Sequence, residues 1–303
     1  FVQLVKDFPI FTVSCQNKLI ALLQFSRINI LFPCIPDIYF SILHPELYLL
    51  YIRSISFINM NDPFFSICFK NLFQLVRNLN ISIAVRISNV YIMPQSKKIS
   101  NVPLIGQSKL PTGCETCSAT MLLKHYGYNI SETTFADKYL VKKTFGYSNG
   151  SYTGPDPNCA FVGTPYSSNS YGAYAPIMAK CMNKYLSDKS YKAVEISGKS
   201  LEYLSGKYVA QGQPIMIWAT INMSPSFKTT TWRVNYTDEN AKYKLGSYYT
   251  WIAGEHCLLL TGYDKNYYYF NDPWTNARTR YSKSVVNSRY NELGKQAIAM
   301  VKK

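Results

Sequence analysis

Apolar positions recur at helical spacing in four separate segments between residues 113 and 211, and they form strand-like runs after that point. A first helix is predicted to begin directly after Thr112 and to run through Tyr126, and Gly127 provides its C-terminal stop. Its start has the spacing of a capping box, with Thr112 at the N-cap and Glu115 three residues later. Three further helices are predicted, at 131–143, 175–187 and 199–211.

The second half of this region favours strands. A long Tyr-rich hairpin is expected within 222–250, and a short helix is expected near 283–292. Strands are predicted at 214–218, 256–263, 267–271 and 296–301. Residues 146–174 carry many Gly, Pro, Ser and Asn residues, which is typical of a loop. Helices followed by antiparallel strands indicate an α+β fold class.

The first hundred residues follow a different pattern. They contain no glycine, whereas residues 101–303 contain all 15, although turns depend on this residue. No uncharged stretch there reaches the ~18–20 residues that span a membrane, and no signal-peptide pattern stands at the start. We expect residues 1–95 to be a non-domain segment, an over-extended translation with a native start at or after Met60. Residues 96–303 would form the one folded domain.

Composition and charge narrow the class of protein. Apolar residues make up 47% and the net charge is +15, which excludes collagen, disordered polyelectrolytes and small disulfide scaffolds. The basic residues are scattered and no nucleic-acid motif occurs, so we expect no nucleic-acid partner. A solvated basic face is the usual explanation of such a charge, and attraction to an anionic cell envelope would account for it equally well. We expect a monomer, and an extracellular or envelope location over a cytoplasmic one.

Cysteine and histidine supply the candidate chemistry. Cys114 stands in the first turn of a predicted helix, where the helix dipole favours the nucleophilic thiolate. His256 opens an apolar strand, and its neighbour Glu255 points to the opposite face, so Glu255 cannot orient it. Taken alone, either residue could equally be part of the core.

Two more residues complete the constellation. Asp272 lies on the strand that returns from the 264–266 turn, where it would pair with residue 258 or 259 and orient His256. Asn271 is its rival for that role. Gln107, seven residues before Cys114, can direct an amide N–H at an oxyanion together with the Cys114 backbone N–H. Trp274 could cover the His–Asp hydrogen bond from water.

The local sequences around these residues resemble those of the thirty-ninth family of cysteine peptidases, particularly its stand-alone bacterial branch of bacteriocin-leader-peptidase-like proteins. The segments that carry the resemblance are VPLIGQ (102–107), PTGCETCSATMLL (111–123), DPNCAFVG (156–163), GAYAP (172–176), GQPIMIW (212–218), EHCLLLTGYD (255–264) and NDP (271–273). The resemblance covers about residues 100–300 and implies a papain-like fold.

The resemblance also implies a role for each site residue. Cys114 would be the nucleophile, His256 the general base and acid, Asp272 the orienter and Gln107 the oxyanion donor of a cysteine peptidase acting on a peptide or protein. No cofactor is implied. Better-known members cut leader peptides after a Gly-Gly pair.

Other functions stay open. Cys114 and Cys117 form a CxxC at a helix start, which is typical of thiol redox proteins, although Cys117 could equally pack one turn along the helix. A peptidase-like domain that binds peptides without catalysis is a second alternative. Amidase, transpeptidase or isopeptidase chemistry would use the same residues. A zinc site is not expected, because His256 and Cys257 diverge on a strand.

Overall fold

The structure is a computed structural model that describes residues 94–148 and 150–303 in full and, before them, the backbone of six strands. The chain divides into two compact units, Phe1–Met93 and Pro94–Lys303. The strands of the first unit pair in chain order: β1 (Ile10–Cys15), β2 (Asn17–Gln24), β3 (Arg27–Leu31), β4 (Ile38–His44), β5 (Leu47–Ile52) and β6 (Ile83–Ile87). The expectation that residues 1–95 do not belong to the folded protein stays a prediction.

The second unit contains five α-helices within its described residues. They are α1 (Cys114–His125), α2 (Glu132–Lys138), α3 (Ala175–Tyr185), α4 (Leu201–Lys207) and α5 (Lys283–Glu292). A short 3-10 helix at Val209–Gln211 continues α4, and a second covers Ile221–Met223. No helix in the described part of the chain has the length and apolar content that a bilayer crossing needs.

The strands of this unit form one large antiparallel sheet and two smaller sheets. In chain order the strands are β7 (Lys97–Lys98), β8 (Lys142–Lys143), β9 (Gly146–Ser148), β10 (Ser151–Pro155), β11 (Phe161–Val162), β12 (Tyr191–Glu195), β13 (Ile215–Thr220), β14 (Phe227–Tyr236), β15 (Tyr248–Ala253), β16 (Glu255–Tyr263), β17 (Tyr267–Asp272), β18 (Ala277–Ser282) and β19 (Ala297–Lys302). The large sheet has the order β12-β19-β13-β16-β17-β18, and β7 pairs with β16. The four-stranded sheet has the order β15-β14-β10-β9, and β8 pairs with β11.

The α+β class is confirmed, and most elements lie where the pattern predicts them. The predicted loop at 146–174 contains three short strands, and the strands at 191–195 and 277–282 were not expected. The second helix ends at Lys138 instead of residue 143, because the following chain pairs with Phe161–Val162 as a strand. These segments carry little periodicity of their own, and tertiary pairing decides their conformation.

The predicted capping box is wrong. The N-cap of α1 is Gly113, and no side chain caps it. Thr112 instead donates its hydroxyl to the carbonyls of Thr164 and Ser167, and Glu115 accepts from the distant Ala173 N–H. Both side chains form tertiary hydrogen bonds in place of the local ones, which moves Cys114 to the first helical position.

Helix α1 is the buried centre of this unit. All of its residues from Cys114 to Leu123 are buried, as expected for a helix enclosed on every side. Its polar side chains need internal acceptors: Ser118 donates to the Cys257 carbonyl at 3.0 Å, and Thr120 donates to the Thr116 carbonyl at 2.8 Å. The Ser118 hydrogen bond fixes α1 directly on β16, the strand that carries His256.

A bulge sets the register between β16 and β17. Near the turn Tyr263 pairs with Tyr268, whereas beyond the bulge Leu259 pairs with Asn271, so the register shifts by one residue. The shift places Asp272 opposite Leu258, on the same face of the sheet as His256. Without it Asp272 would lie opposite Leu259 and face the other side, since a one-residue slip reverses the faces.

Candidate active site

Cys114 is the first residue of α1, and its thiol lies against β16. The thiol accepts a hydrogen bond from the Cys257 backbone N–H at 3.4 Å and donates one to Glu115 Oε2 at 3.3 Å. The donating N–H belongs to the peptide bond that follows His256, so the thiol lies beside the backbone of the predicted base. The structure therefore places the predicted nucleophile beside the strand that carries the predicted base, and among the described residues the His256 ring bonds Asp272.

The prediction that the helix start favours the Cys114 thiolate is wrong for the protein without substrate. The helix start was expected to favour the thiolate, but burial raises the pKa of the Cys114 thiol well above its ordinary value, and nearby Glu115 and Glu255 raise it further. Only 5% of the residue is exposed. Desolvation of a charged sulfur outweighs a helix dipole here, so the resting form is the neutral thiol that donates to Glu115.

His256 and Asp272 form a buried pair. His256 Nε2 lies 2.8 Å from Asp272 Oδ1, and both side chains are about 1% exposed. An aspartate in this position fixes the ring orientation and stabilises the imidazolium when it forms. Because Nε2 is bound to Asp272, Nδ1 is the ring nitrogen left to exchange protons with a substrate or a thiol.

The residues around Asp272 hold its carboxylate in place. Oδ1 also accepts the Trp274 backbone N–H at 2.9 Å. The Trp274 side chain is half exposed, and its covering of the His–Asp hydrogen bond stays a prediction. Asn271 faces elsewhere and donates to the carbonyls of Val102 and Pro103. Asp272, rather than its rival Asn271, therefore bonds His256.

Gln107 is buried on the segment that precedes α1. Its backbone N–H donates to the Pro273 carbonyl at 3.0 Å, which links this segment to the residue that follows Asp272. Its side-chain amide donates to the Pro111 carbonyl at 2.8 Å. An amide nitrogen carries two hydrogens, so this hydrogen bond uses only one of the two N–H donors of Nε2.

Two carboxyl groups that the sequence reasoning did not place in the site lie beside the thiol. Donor atoms of Cys114, Glu115 and Glu255 all lie within 4.8 Å of one another, and all three residues are buried. Each glutamate is adjacent in sequence to a predicted catalytic residue. That adjacency was a usable signal. Because α1 and β16 are buried on both sides, the sequence neighbours of Cys114 and His256 are buried with them.

The three groups have the spacing of metal ligands, but their hydrogen bonds indicate another role. Both oxygens of Glu115 already accept protein donors, one from Ala173 N–H and one from the Cys114 thiol. A cation would have to displace both donors. The pKa of Glu115 is raised to about 7, chiefly by burial, and burial with the charge of Glu115 raises that of Glu255. We therefore describe the two as a closely spaced pair of buried carboxyl groups with raised pKa values.

Cys117 packs one turn along the helix. It is fully buried with Leu110 and Ala136, and its thiol donates to the Gly106 carbonyl at 3.8 Å. The described cysteines are free thiols, and burial raises the pKa of both Cys114 and Cys117. Redox CxxC motifs depend on a low-pKa thiol, so this geometry favours the packing role.

Comparisons with known proteins agree with the fold. The chain is 27% identical over 210 residues to the uncharacterized protein YvpB of Bacillus subtilis (strain 168), an alignment that covers 68% of this chain and 77% of that protein. A crystal structure of a C39-like peptidase from Bacillus anthracis superposes with a TM-score of 0.59 at 30% identity. That match covers 69% of this chain and 99% of the crystallised one. The family model for the Peptidase_C39 like family matches residues 99–298, and the chain belongs to this family.

Proposed function

We propose that this protein is a cysteine peptidase that hydrolyses peptide bonds with Cys114, His256 and Asp272. The observation that carries the proposal is the buried His256–Asp272 hydrogen bond of 2.8 Å, on a strand whose next residue, Cys257, donates its backbone N–H to the thiol at the first position of a helix. A nucleophile, a base and an orienter in this order are the parts that covalent acyl transfer requires.

The reaction begins with a proton transfer. The Cys114 thiol gives its proton to His256 Nδ1, and the resulting thiolate attacks the carbonyl carbon of the scissile bond. His256 then passes that proton to the leaving amine, which departs as the C–N bond breaks. A thioester to Cys114 remains. His256 next takes a proton from water, the hydroxide attacks the thioester, and the proton returns to the sulfur as the acid product leaves.

The carbonyl oxygen becomes negative in both tetrahedral intermediates. The free N–H of Gln107 Nε2 and the Cys114 backbone N–H supply two donors for it. Helix position supports the second donor, because the first N–H groups of a helix lack an intrahelical acceptor. Donors held in a dry site stabilise such a charge strongly. The Gln107–Pro273 backbone hydrogen bond keeps this donor in register with the His–Asp pair.

Peptides or proteins are the proposed substrates, and no cofactor enters the scheme. Transpeptidase chemistry would pass through the same thioester but end on an amine instead of water. A domain that binds peptides without cleaving them would keep the fold and show no thioester. These alternatives differ in their products, which makes product analysis the appropriate test.

The test is digestion of a defined peptide mixture in heavy-oxygen water, followed by mass spectrometry. We expect new C-termini that carry the heavy oxygen with the native protein, and none with Cys114→Ala or His256→Ala. His125→Ala is the matched control, because His125 lies at the other end of α1 and bonds only the Gly212 carbonyl in the described structure. Unlabelled joined peptides would indicate transpeptidation, and intact peptides throughout would contradict the proposal.

A further inference from the structure

Two buried carboxyl groups meet beside the thiol of Cys114. Glu115 follows Cys114 on α1, and Glu255 precedes His256 on β16. Both are at least nine-tenths buried, and one oxygen of each lies within 4.8 Å of the other and of the Cys114 sulfur. The catalytic scheme above uses neither carboxyl, although burying two acids without a cation is costly.

The chain makes room for this pair at Gly172. A Cβ at that position would overlap Glu115 Oε1 and would lie 2.9 Å from Glu255 Oε2. The ring of Trp251 closes the same space, with its Cη2 atom 3.3 Å from that Cβ position. The two carboxyls therefore occupy one dry compartment that is walled by a glycine and an indole and opens onto the sulfur.

The hydrogen bonds show where the charge and the proton lie. Glu115 accepts from the Ala173 N–H at 2.5 Å and from the Cys114 thiol at 3.3 Å. Glu255 Oε1 is buried and has no partner among the described residues. Two carboxylates this close cannot both ionise. Because only Glu115 has donors that stabilise a charge, Glu115 carries it and Glu255 carries the proton.

No neighbouring group on the described elements neutralises this charge. The titratable groups that reach the pair are Cys257 on β16, Tyr174 before α3, Tyr249 on β15 and Cys117 on α1. Burial raises the pKa of all four, so they stay neutral. His256 is adjacent to Glu255 in sequence, and its Nε2 bonds Asp272.

We propose that Glu115 is a positioning residue that controls the ionisation of Cys114, and that Glu255 holds the proton which the two acids share. Ionised Glu115 accepts the S–H and keeps the sulfur a neutral thiol. When the pair takes up one more proton from solvent, Glu115 becomes a carboxylic acid whose O–H donates to the sulfur. The Cys114 proton then passes to His256, and the same contact stabilises the thiolate.

This inference rests on the proposed function and predicts an unusual pH dependence. An ordinary thiol becomes more reactive as pH rises. Here the charge on Glu115 suppresses the thiolate above the pKa of the pair, and the suppression is relieved as pH falls through it. That pKa is near 7 for Glu115, so the change falls in the neutral range.

The experiment measures the rate of Cys114 alkylation by iodoacetamide against pH, with the labelled residue identified by mass spectrometry. Glu115→Gln keeps an oxygen for the Ala173 N–H and gives the sulfur a permanent N–H donor. We expect the ratio of variant to native rates to be close to one near about pH 5 and to reach about tenfold near about pH 8, as a one-unit change of the thiol pKa requires. A ratio that does not change with pH would overturn the proposal.

A second variant keeps the test decisive if Glu115→Gln does not fold. Glu115→Ala removes the same charge without adding a donor, so the loss of reactivity above the pKa of Glu115 should be absent from this variant as well. A loss that persists with an unchanged midpoint would overturn the proposal. If adding EDTA makes the variant and native alkylation rates equal, the proposal would also be overturned, in favour of a bound cation. His256→Ala distinguishes failure of this inference from failure of the peptidase proposal. If the peptidase proposal holds, His256→Ala loses labelling of Cys114 whether or not Glu115 controls the thiol.

Discussion

Asp272 accepts its 2.8 Å hydrogen bond from His256 Nε2 because a bulge in β16 places Asp272 opposite Leu258. The contact thus depends on a one-residue register shift in a hairpin whose turn is held by Asp264, which accepts two backbone N–H groups. The base and its orienter are positioned by the geometry of one hairpin.

Removing the orienter should lower the turnover rate more than substrate binding. We expect Asp272→Ala to reduce kcat about 10²-fold or more with little change in KM, because the imidazolium loses its stabilising charge and the ring its fixed orientation. Asp272→Asn should lose less, since it keeps an oxygen acceptor for Nε2. Steady-state kinetics provide the measurement. Asp188→Asn, an exposed carboxylate that pairs with Lys189 on the surface, is the control and should retain the native kcat.

Gln107 should act through its side chain alone. We expect Gln107→Ala to lower kcat by roughly 10²-fold with KM nearly unchanged, because the loss of one oxyanion donor affects only the transition state. The backbone hydrogen bond to Pro273 survives this change, so the positioning of the segment is retained. Gln211→Ala, on the surface, is the control. A rise in KM at constant kcat would instead indicate that Gln107 serves substrate binding.

Gly172 should not tolerate a larger side chain. Gly172→Ala would push a methyl group into Glu115 and Glu255, and we expect it to lower the free energy of unfolding by about 1–3 kcal/mol. Urea denaturation measures this. Gly146→Ala is a matched control, because no atom lies within 4 Å of the Cβ position there. Equal stability of the two variants would show that the carboxyl pair is not packed as described.

The carboxyl pair should also make stability depend on pH. The pKa of Glu115 is raised on folding to about 7, so the protonated form stabilises the fold. That contribution is fully present below the unfolded pKa and is lost as pH rises through the folded one. We expect Glu115→Gln to be more stable than the native protein at about pH 8, by about 1.4 kcal/mol for each unit of raised pKa. The two should be equally stable near about pH 4. Parallel stability curves across this range would contradict the assignment.

Sequence reasoning could identify the elements with strong periodicity and the residues with distinctive chemistry. Cys114 at a helix start, His256 on an apolar strand and Asp272 on the returning strand needed only spacing and alternation. The choice between residues 258 and 259 as the partner of Asp272 could not be made, because a bulge is set by packing. Gly262 within that bulge lets β7 approach closely, since a Cβ there would meet the Lys97 carbonyl at 2.6 Å.

The ionisation of Cys114 was beyond sequence reasoning for a different reason. The helix start indicates a thiolate, but the pKa depends on burial and on which charges come near in space. Glu115 looked like a cap for its own helix, whereas it accepts from Ala173, 58 residues later. A tertiary contact of this kind leaves no periodic pattern in the chain.

The rate of Cys114 alkylation by iodoacetamide in the native protein and in His256→Ala tests the central claim most directly. Because the thiol is buried and protonated at rest, its reactivity must depend on the base beside it. We predict that His256→Ala lowers the rate at least about tenfold, while His125→Ala leaves it unchanged. Equal and slow labelling of Cys114 in all three proteins would contradict a peptidase built on this cysteine and histidine.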